Sequence, residues 1–220
     1  MRTDRIISFL ILFICIVGFL TYCKKKDDKN IISGITINQQ TLQPVSGVKV
    51  ELSAKKIING TWSSQFSSIS TFFTQSDGSF SFTFDNIRVS DYKLSFSKTN
   101  YFSDDYVISP DQVEPGNEYK NTYYIHFESW LKIIIKNNPP AYSGDNLSFQ
   151  LKSGSVNCPD GCDDIIHNYS GNMDTLHVCK IYGSQSAVIE WTYSYNTIHQ
   201  QHIDTLWIQP ADTTLYYINY

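Results

Sequence analysis

The sequence predicts an all-β chain made of two consecutive β-sandwich modules, and three observations carry that expectation. The 220 residues include 15 Tyr, 13 Phe and 4 Trp, with Ser, Thr, Ile and Asn abundant, and these types suit pleated, half-buried surfaces and turns. Short segments with a period of two recur at about ten-residue spacing, separated by Gly, Pro, Asn, Asp and Ser. After the first thirty residues, no segment repeats apolar residues at helical spacing.

Composition narrows the function classes. Hydrophobic residues make up 41%, which is ordinary for a chain with a packed core. The formal net charge is −4, and no basic stripe occurs beyond the N-terminal region, so nucleic acid is not an expected partner.

The chain opens with Arg2 and Arg5, then runs apolar from Ile6 to Leu20, with Cys15 inside the run. A basic start before a short apolar run reads as a secretory signal. The run is shorter than the roughly 20 residues a membrane helix needs. It closes on Leu20-Thr21-Tyr22-Cys23, followed by Lys24-Lys25-Lys26-Asp27-Asp28. Leu20 and Cys23 resemble the lipobox of bacterial lipoproteins, an aliphatic residue three places before the Cys that becomes lipidated. Tyr22 stands where that family usually has a small residue; the lipoproteins of Bacteroidota are looser there, and this chain is similar to them. Lys26, Asp27 and Asp28 resemble the export signal of their surface-displayed members. The resemblance implies a signal peptide over 1–22, a lipid on Cys23 (as palmitate) and a charged tether over 23–30. It also implies the membrane as a partner and an outer-membrane, cell-surface location. An uncleaved anchor is the alternative, with Lys24 to Lys26 drawing that side toward the cytoplasm.

A first module is expected over 31–128. Ile31 to Ile37 alternates, and in Gly47-Val48-Lys49-Val50-Glu51-Leu52 the apolar side chains share one face. A Ser-rich stretch passes Trp62 and Phe66 and reaches Phe72-Phe73-Thr74. Gln75-Ser76-Asp77-Gly78 predicts a tight hairpin turn, because Asp-Gly supplies positive φ angles. Phe80, Phe82 and Phe84 then alternate with Ser79, Ser81 and Thr83; Tyr92 to Phe96 and Tyr119 to Phe127 complete the set. Ser33-Gly34-Ile35, Gly47 to Leu52, Thr74 to Phe82 and Tyr92 to Leu94 together resemble the carboxypeptidase regulatory-like domain, a transthyretin-like β-sandwich. That family consists mostly of accessory modules, so the resemblance implies a non-catalytic role and names no ligand.

A second sandwich is expected over 129–220. Leu131 to Lys136 reads as a strand stopped by Pro139 and Pro140, which cannot donate to a ladder. Asn146 to Leu151, Ala187 to Tyr193, Thr205 to Ile208 and Thr214 to Tyr220 follow. No flexible linker separates the modules, so a shared continuous sheet is the alternative.

Cys158, Cys162 and Cys179 form the only clustered chemistry. In an exported chain they predict a disulfide, either Cys158–Cys162 or one reaching Cys179, with one thiol left over. The alternative is zinc held by the three thiolates with His167 or His177. Asp160, Asp163 and Asp164 match no calcium loop and read as a solvated acidic loop. His199 and His202 read as turn residues. Intradiol dioxygenases share a transthyretin-type sandwich, but nothing here reproduces their paired Tyr and His ligands. No nucleophile elbow, phosphate loop or zincin helix occurs, so neither an enzyme nor a cofactor is expected. Asp174-Thr175-Leu176, Asp204-Thr205-Leu206 and Asp212-Thr213-Thr214 resemble the O-glycosylation acceptor of Bacteroidota envelope proteins; the alternative is chance.

The expected function is a membrane-anchored binding or adhesion lipoprotein that takes a protein or glycan ligand. Its platform would be exposed loop aromatics such as Tyr101, Phe102 and Tyr142, with packing inside the sandwich as the alternative for each. The alternative is a periplasm-facing structural or assembly accessory that pairs through an edge strand such as Thr214 to Tyr220.

Overall fold

The computed structural model of the chain describes residues 29–58, 60–138, 142–195 and 198–220. The signal and tether expected at 1–28, with Cys23, Lys26, Asp27 and Asp28, lie outside the described residues.

Fifteen strands and one 3-10 turn, Pro110–Gln112, follow one another along the described chain. The first eight strands are β1 (Lys29–Asn38), β2 (Lys49–Ile58), β3 (Thr61–Trp62), β4 (Ser67–Phe73), β5 (Ser79–Asp85), β6 (Val89–Ser97), β7 (Asp104–Ile108) and β8 (Glu118–Ile125). They form two sheets. Sheet A has the order β5-β1-β8; sheet B has the order β3-β2-β6-β7, with β4 also pairing β2. Alternation places one face of each sheet inward. Val50, Leu52 and Ala54 of β2, Phe80, Phe82 and Phe84 of β5, and Leu94 and Phe96 of β6 fill a shared core. Rings from opposite sheets meet in it, Phe80 with Phe96 at 5.7 Å and Phe84 with Tyr92 at 5.5 Å between centroids.

The turn at Gln75 to Gly78 forms, but the hairpin does not. The Asp77 carboxylate accepts from the Ser79 amide at 3.0 Å, and Gly78 takes φ +76°. The flanking strands then part, β4 pairing β2 and β5 pairing β1. The Asp-Gly pair therefore makes an arch between two sheets. Buried hydroxyls brace its base: Thr74 Oγ1 donates to the Val45 carbonyl at 2.8 Å and accepts from the Val48 amide at 3.0 Å.

The remaining strands are β9 (Glu128–Lys136), β10 (Asn146–Ser153), β11 (His167–Ser170), β12 (Asp174–Tyr182), β13 (Gln185–Tyr195), β14 (Ile198–Ile208) and β15 (Thr213–Asn219). Sheet C has the order β12-β9-β15, and sheet D the order β11-β10-β13-β14. Leu131, Ile133 and Ile135 of sheet C face Leu147, Phe149 and Ile189 of sheet D in a second core. No described sheet contains strands from both cores. The chain crosses between them at Phe127, whose carbonyl accepts from the Gly183 amide at 3.0 Å. There Tyr182 stacks on His126 at 4.0 Å and takes Phe102 edge-on at 5.1 Å.

Candidate functional site

The part of the outer face of sheet D over β11, β10 and the end of β13 is a regular array of uncharged polar side chains, whereas toward β14 the same face carries Val188, Ile203 and Trp207. In Asn146-Leu147-Ser148-Phe149 and Thr192-Tyr193-Ser194 the apolar members turn into the core, so their neighbours must point outward. The antiparallel registers align Ser170, Asn146 and Ser194 in one row and Asn168, Ser148 and Thr192 in the next. Ser148 and Thr192 hydroxyls are hydrogen-bonded at 2.6 Å. These six side chains border a depression of about 330 Å³. A second one of about 300 Å³ adjoins it through Ser148 and Thr192 and reaches Gln150, Lys152 and Glu190. The ammonium of Lys152 lies 3.1 Å from the Glu190 carboxylate. Bonds from Lys152 and Gln201 hold that carboxyl below its usual range. The trough therefore offers donors and acceptors with its one ion pair already closed. Such a surface suits a neutral, hydroxyl-rich molecule.

Two polar seams close the sides of the second sandwich and hold sheet D in place. On one side Trp191 Nε1 donates to the Tyr216 hydroxyl at 2.9 Å, and that hydroxyl donates to Asp204. Burial, and then the Asp204 bond, push the Tyr216 phenol up to about 12. On the other side His167 pairs with Asp163 at 2.9 Å, and its ring lies 4.7 Å from Phe149 and 4.5 Å from His177. Burial, followed by the neighbouring His167, lowers the His177 pKa.

The residues singled out from the sequence are placed differently. Cys162 and Cys179 are joined in a disulfide, leaving Cys158 as a free, half-buried thiol. With two of its three thiolates joined to each other, the zinc arrangement is not formed. Among the described residues no group of three or more His, Cys, Asp or Glu side chains is set to hold a metal ion. His199 and His202 are not turn residues: both lie within β14, where pairing with β13 continues, and His202 stacks on Trp191 at 4.0 Å. Tyr101 and Phe102 form no ligand platform. Tyr101 packs on Phe127 at 4.6 Å and Phe102 on Tyr182, so both are spent at the crossing. Tyr142 is 43% exposed and stacks on Tyr195 at 4.5 Å. Asp174 and Asp212 lie at or beside strand starts, whereas Asp204 and Thr205 lie inside β14. The polar array is not among the sites expected from the sequence; its one local signal is the Asn/Ser and Thr/Ser alternation in β10 and β13.

No family model and no curated relative match the chain. Among solved structures it is similar to a streptococcal ancillary pilin, at 12% identity and TM-score 0.35 over 89% of this chain. It is similar to the full-length major pilin SpaD of Corynebacterium diphtheriae, at 9% identity and TM-score 0.36 over 80%. The minor pilin of Streptococcus agalactiae gives 11% identity and TM-score 0.34, covering 86% of this chain and 94% of that one. The chain spans 63% of the first pilin and 64% of the second. Likeness at this level assigns neither kinship nor function.

Proposed function

We propose that the chain is a non-catalytic binding module of the bacterial cell surface, tethered to the outer membrane by a lipid on Cys23, that takes a neutral glycan on the outer face of sheet D. The observation that carries the ligand class is the hydroxyl and amide array of Asn146, Ser148, Asn168, Ser170, Thr192 and Ser194 around one trough. Saccharide hydroxyls both donate and accept, and so do these groups. The tether supports an outward placement of that trough. Strand β1 begins at Lys29 and runs beside β8 toward Asn38 and Ile125, where the chain crosses to the second core. A strand of ten residues spans about 33 Å, so an anchor at Cys23 leaves the second core as the far end.

Glycan-array binding followed by titration calorimetry tests the ligand. Asn168→Ala and Thr192→Ala are expected to weaken binding severalfold each, at about 1 kcal/mol per lost hydrogen bond, with unchanged melting. Equal binding by wild type and variants overturns the face; no glycan bound overturns the class. Protease shaving of intact cells, beside a Cys23→Ala control, tests the location separately. The second reading, an envelope accessory, rests on β14, an 11-residue edge strand with unbroken register to β13. Protection from protease until lysis would favour it.

A further inference from the structure

A sheet that covers a core on one side only is expected to be apolar inward and polar outward, yet the outer face of sheet C, where β9 pairs β12 antiparallel and β15 parallel, carries apolar side chains among its lysines. The registers of β12 and β15 against β9 set its outward side chains in rows. The two middle rows are Val178–Lys132–Leu215 and Leu176–Ile134–Tyr217. Lys180 and Trp130 lie in the row below, on the side of the crossing, and Asp174 and Lys136 in the row above. Val178 is 43% exposed, Leu215 51%, Leu176 53% and Tyr217 56%. A contiguous apolar patch of this kind marks an interaction surface.

We infer that a second copy of this chain covers the outer face of sheet C. The row pattern is complementary to itself under a two-fold axis lying across the strands. Stacked that way, the middle rows exchange, so Val178 meets Leu176 and Leu215 meets Tyr217 of the second copy. The outer rows exchange too, bringing Lys180, which pairs with Glu128 at 3.2 Å and lies 5.4 Å from the Trp130 ring within its own copy, toward Asp174 of the second. Each of these contacts occurs twice, as a closed dimer requires. Lys132 falls opposite Ile134 and lays its stem along it, with the ammonium at the rim. An axis along the strands would instead stack Lys132 on Lys132 and Lys136 on Lys136, which like-charge repulsion disfavours. The charge pattern therefore selects one arrangement, with the opposed sheets about 10 Å apart. Half-exposed side chains of this size offer about 500 Å² per copy, so a dimer buries about 1,000 Å². That is the lower limit for a specific interface, and the dimer is expected to be reversible at micromolar concentrations.

Sedimentation equilibrium of the full chain in density-matched micelles tests this surface. Wild type is expected to associate with concentration. Leu215→Arg, at an exposed position, is expected to weaken association roughly tenfold or more while the thermal melt stays in place. Asp174→Lys is expected to weaken it as well, and adding Lys180→Asp to the same chain to restore it, because the reciprocal pair is rebuilt with its sign reversed; Glu128→Gln, which removes only the partner of Lys180 within the chain, is expected to leave association in place. A monomer at every concentration overturns the inference. So does a dimer indifferent to Leu215→Arg, or a charge swap that fails to restore association. A monomer that floats with anionic vesicles through Leu215 and Tyr217 would overturn it and assign the face to a membrane.

Discussion

Gly34 illustrates how little room single positions have. A Cβ built there would stand 2.6 Å from the Asn121 carbonyl and 2.7 Å from the Tyr123 ring, both on the neighbouring strand β8. Backbone cannot yield cheaply, so Gly34→Ala is expected to cost about 1–3 kcal/mol, read as a lower denaturant midpoint at constant slope. In the sequence Gly34 was visible as a glycine in a strand, and the neighbour that demands it was not. His177 makes a pH prediction. Burial and the nearby His167 lower its pKa in the fold, so the unfolded chain takes up the proton first as pH falls. Stability is therefore full above about pH 6.5. It is lost as the pH drops from there toward the lowered folded value. His177→Gln is expected to flatten the melting temperature between pH 7 and 5 relative to wild type; an unchanged slope would show that another group carries it.

At the scale of elements, alternation located the strands well where one face meets a core. Val48 to Leu52, Phe80 to Phe84 and Leu131 to Ile135 are inward on the expected parity. Strands β7, β11 and much of β12 and β14 are not legible in the sequence, because a short segment, or one that mixes apolar and polar side chains on both faces, carries no clean period of two. The Asp-Gly turn shows a different limit. Local turn chemistry specifies a reversal of direction, but whether the two arms pair or diverge depends on which neighbours each finds. Likewise the cysteine spacing left three pairings open, and the inward placement of Cys179 on β12 opposite the 156–162 loop decides for Cys162. That bridge closes a sequence separation of 17, worth about 3 kcal/mol on a chain-entropy basis. Cys162→Ser with Cys179→Ser is expected to lower the melting temperature by several degrees, and reductant to act on wild type alone.

For the whole molecule, the crossing governs how far the two cores act together. Tyr182 joins them by stacking on His126 and receiving Phe102. Tyr182→Ala is expected to split or broaden the calorimetric transition, because the cores keep their own packing while the link weakens. A single unbroadened transition would locate the coupling in the backbone bonds at Phe127 and Asn100 instead. In the sequence the aromatic residues around this crossing fit a ligand platform and core packing alike, since exposure on a loop and burial at a joint leave the same local pattern.

The sequence by itself determined the β class, the inward side chains of the strong strands and the cysteines that compete for a bridge. These follow from period, composition and spacing, which are local. Only the tertiary structure decided the division into four sheets, the choice of Cys179, the fate of Tyr101 and Phe102, and the gathering of one polar array on sheet D and of two apolar rows on sheet C. Each of those depends on which distant strands become neighbours, and that is settled by the packing of the whole chain.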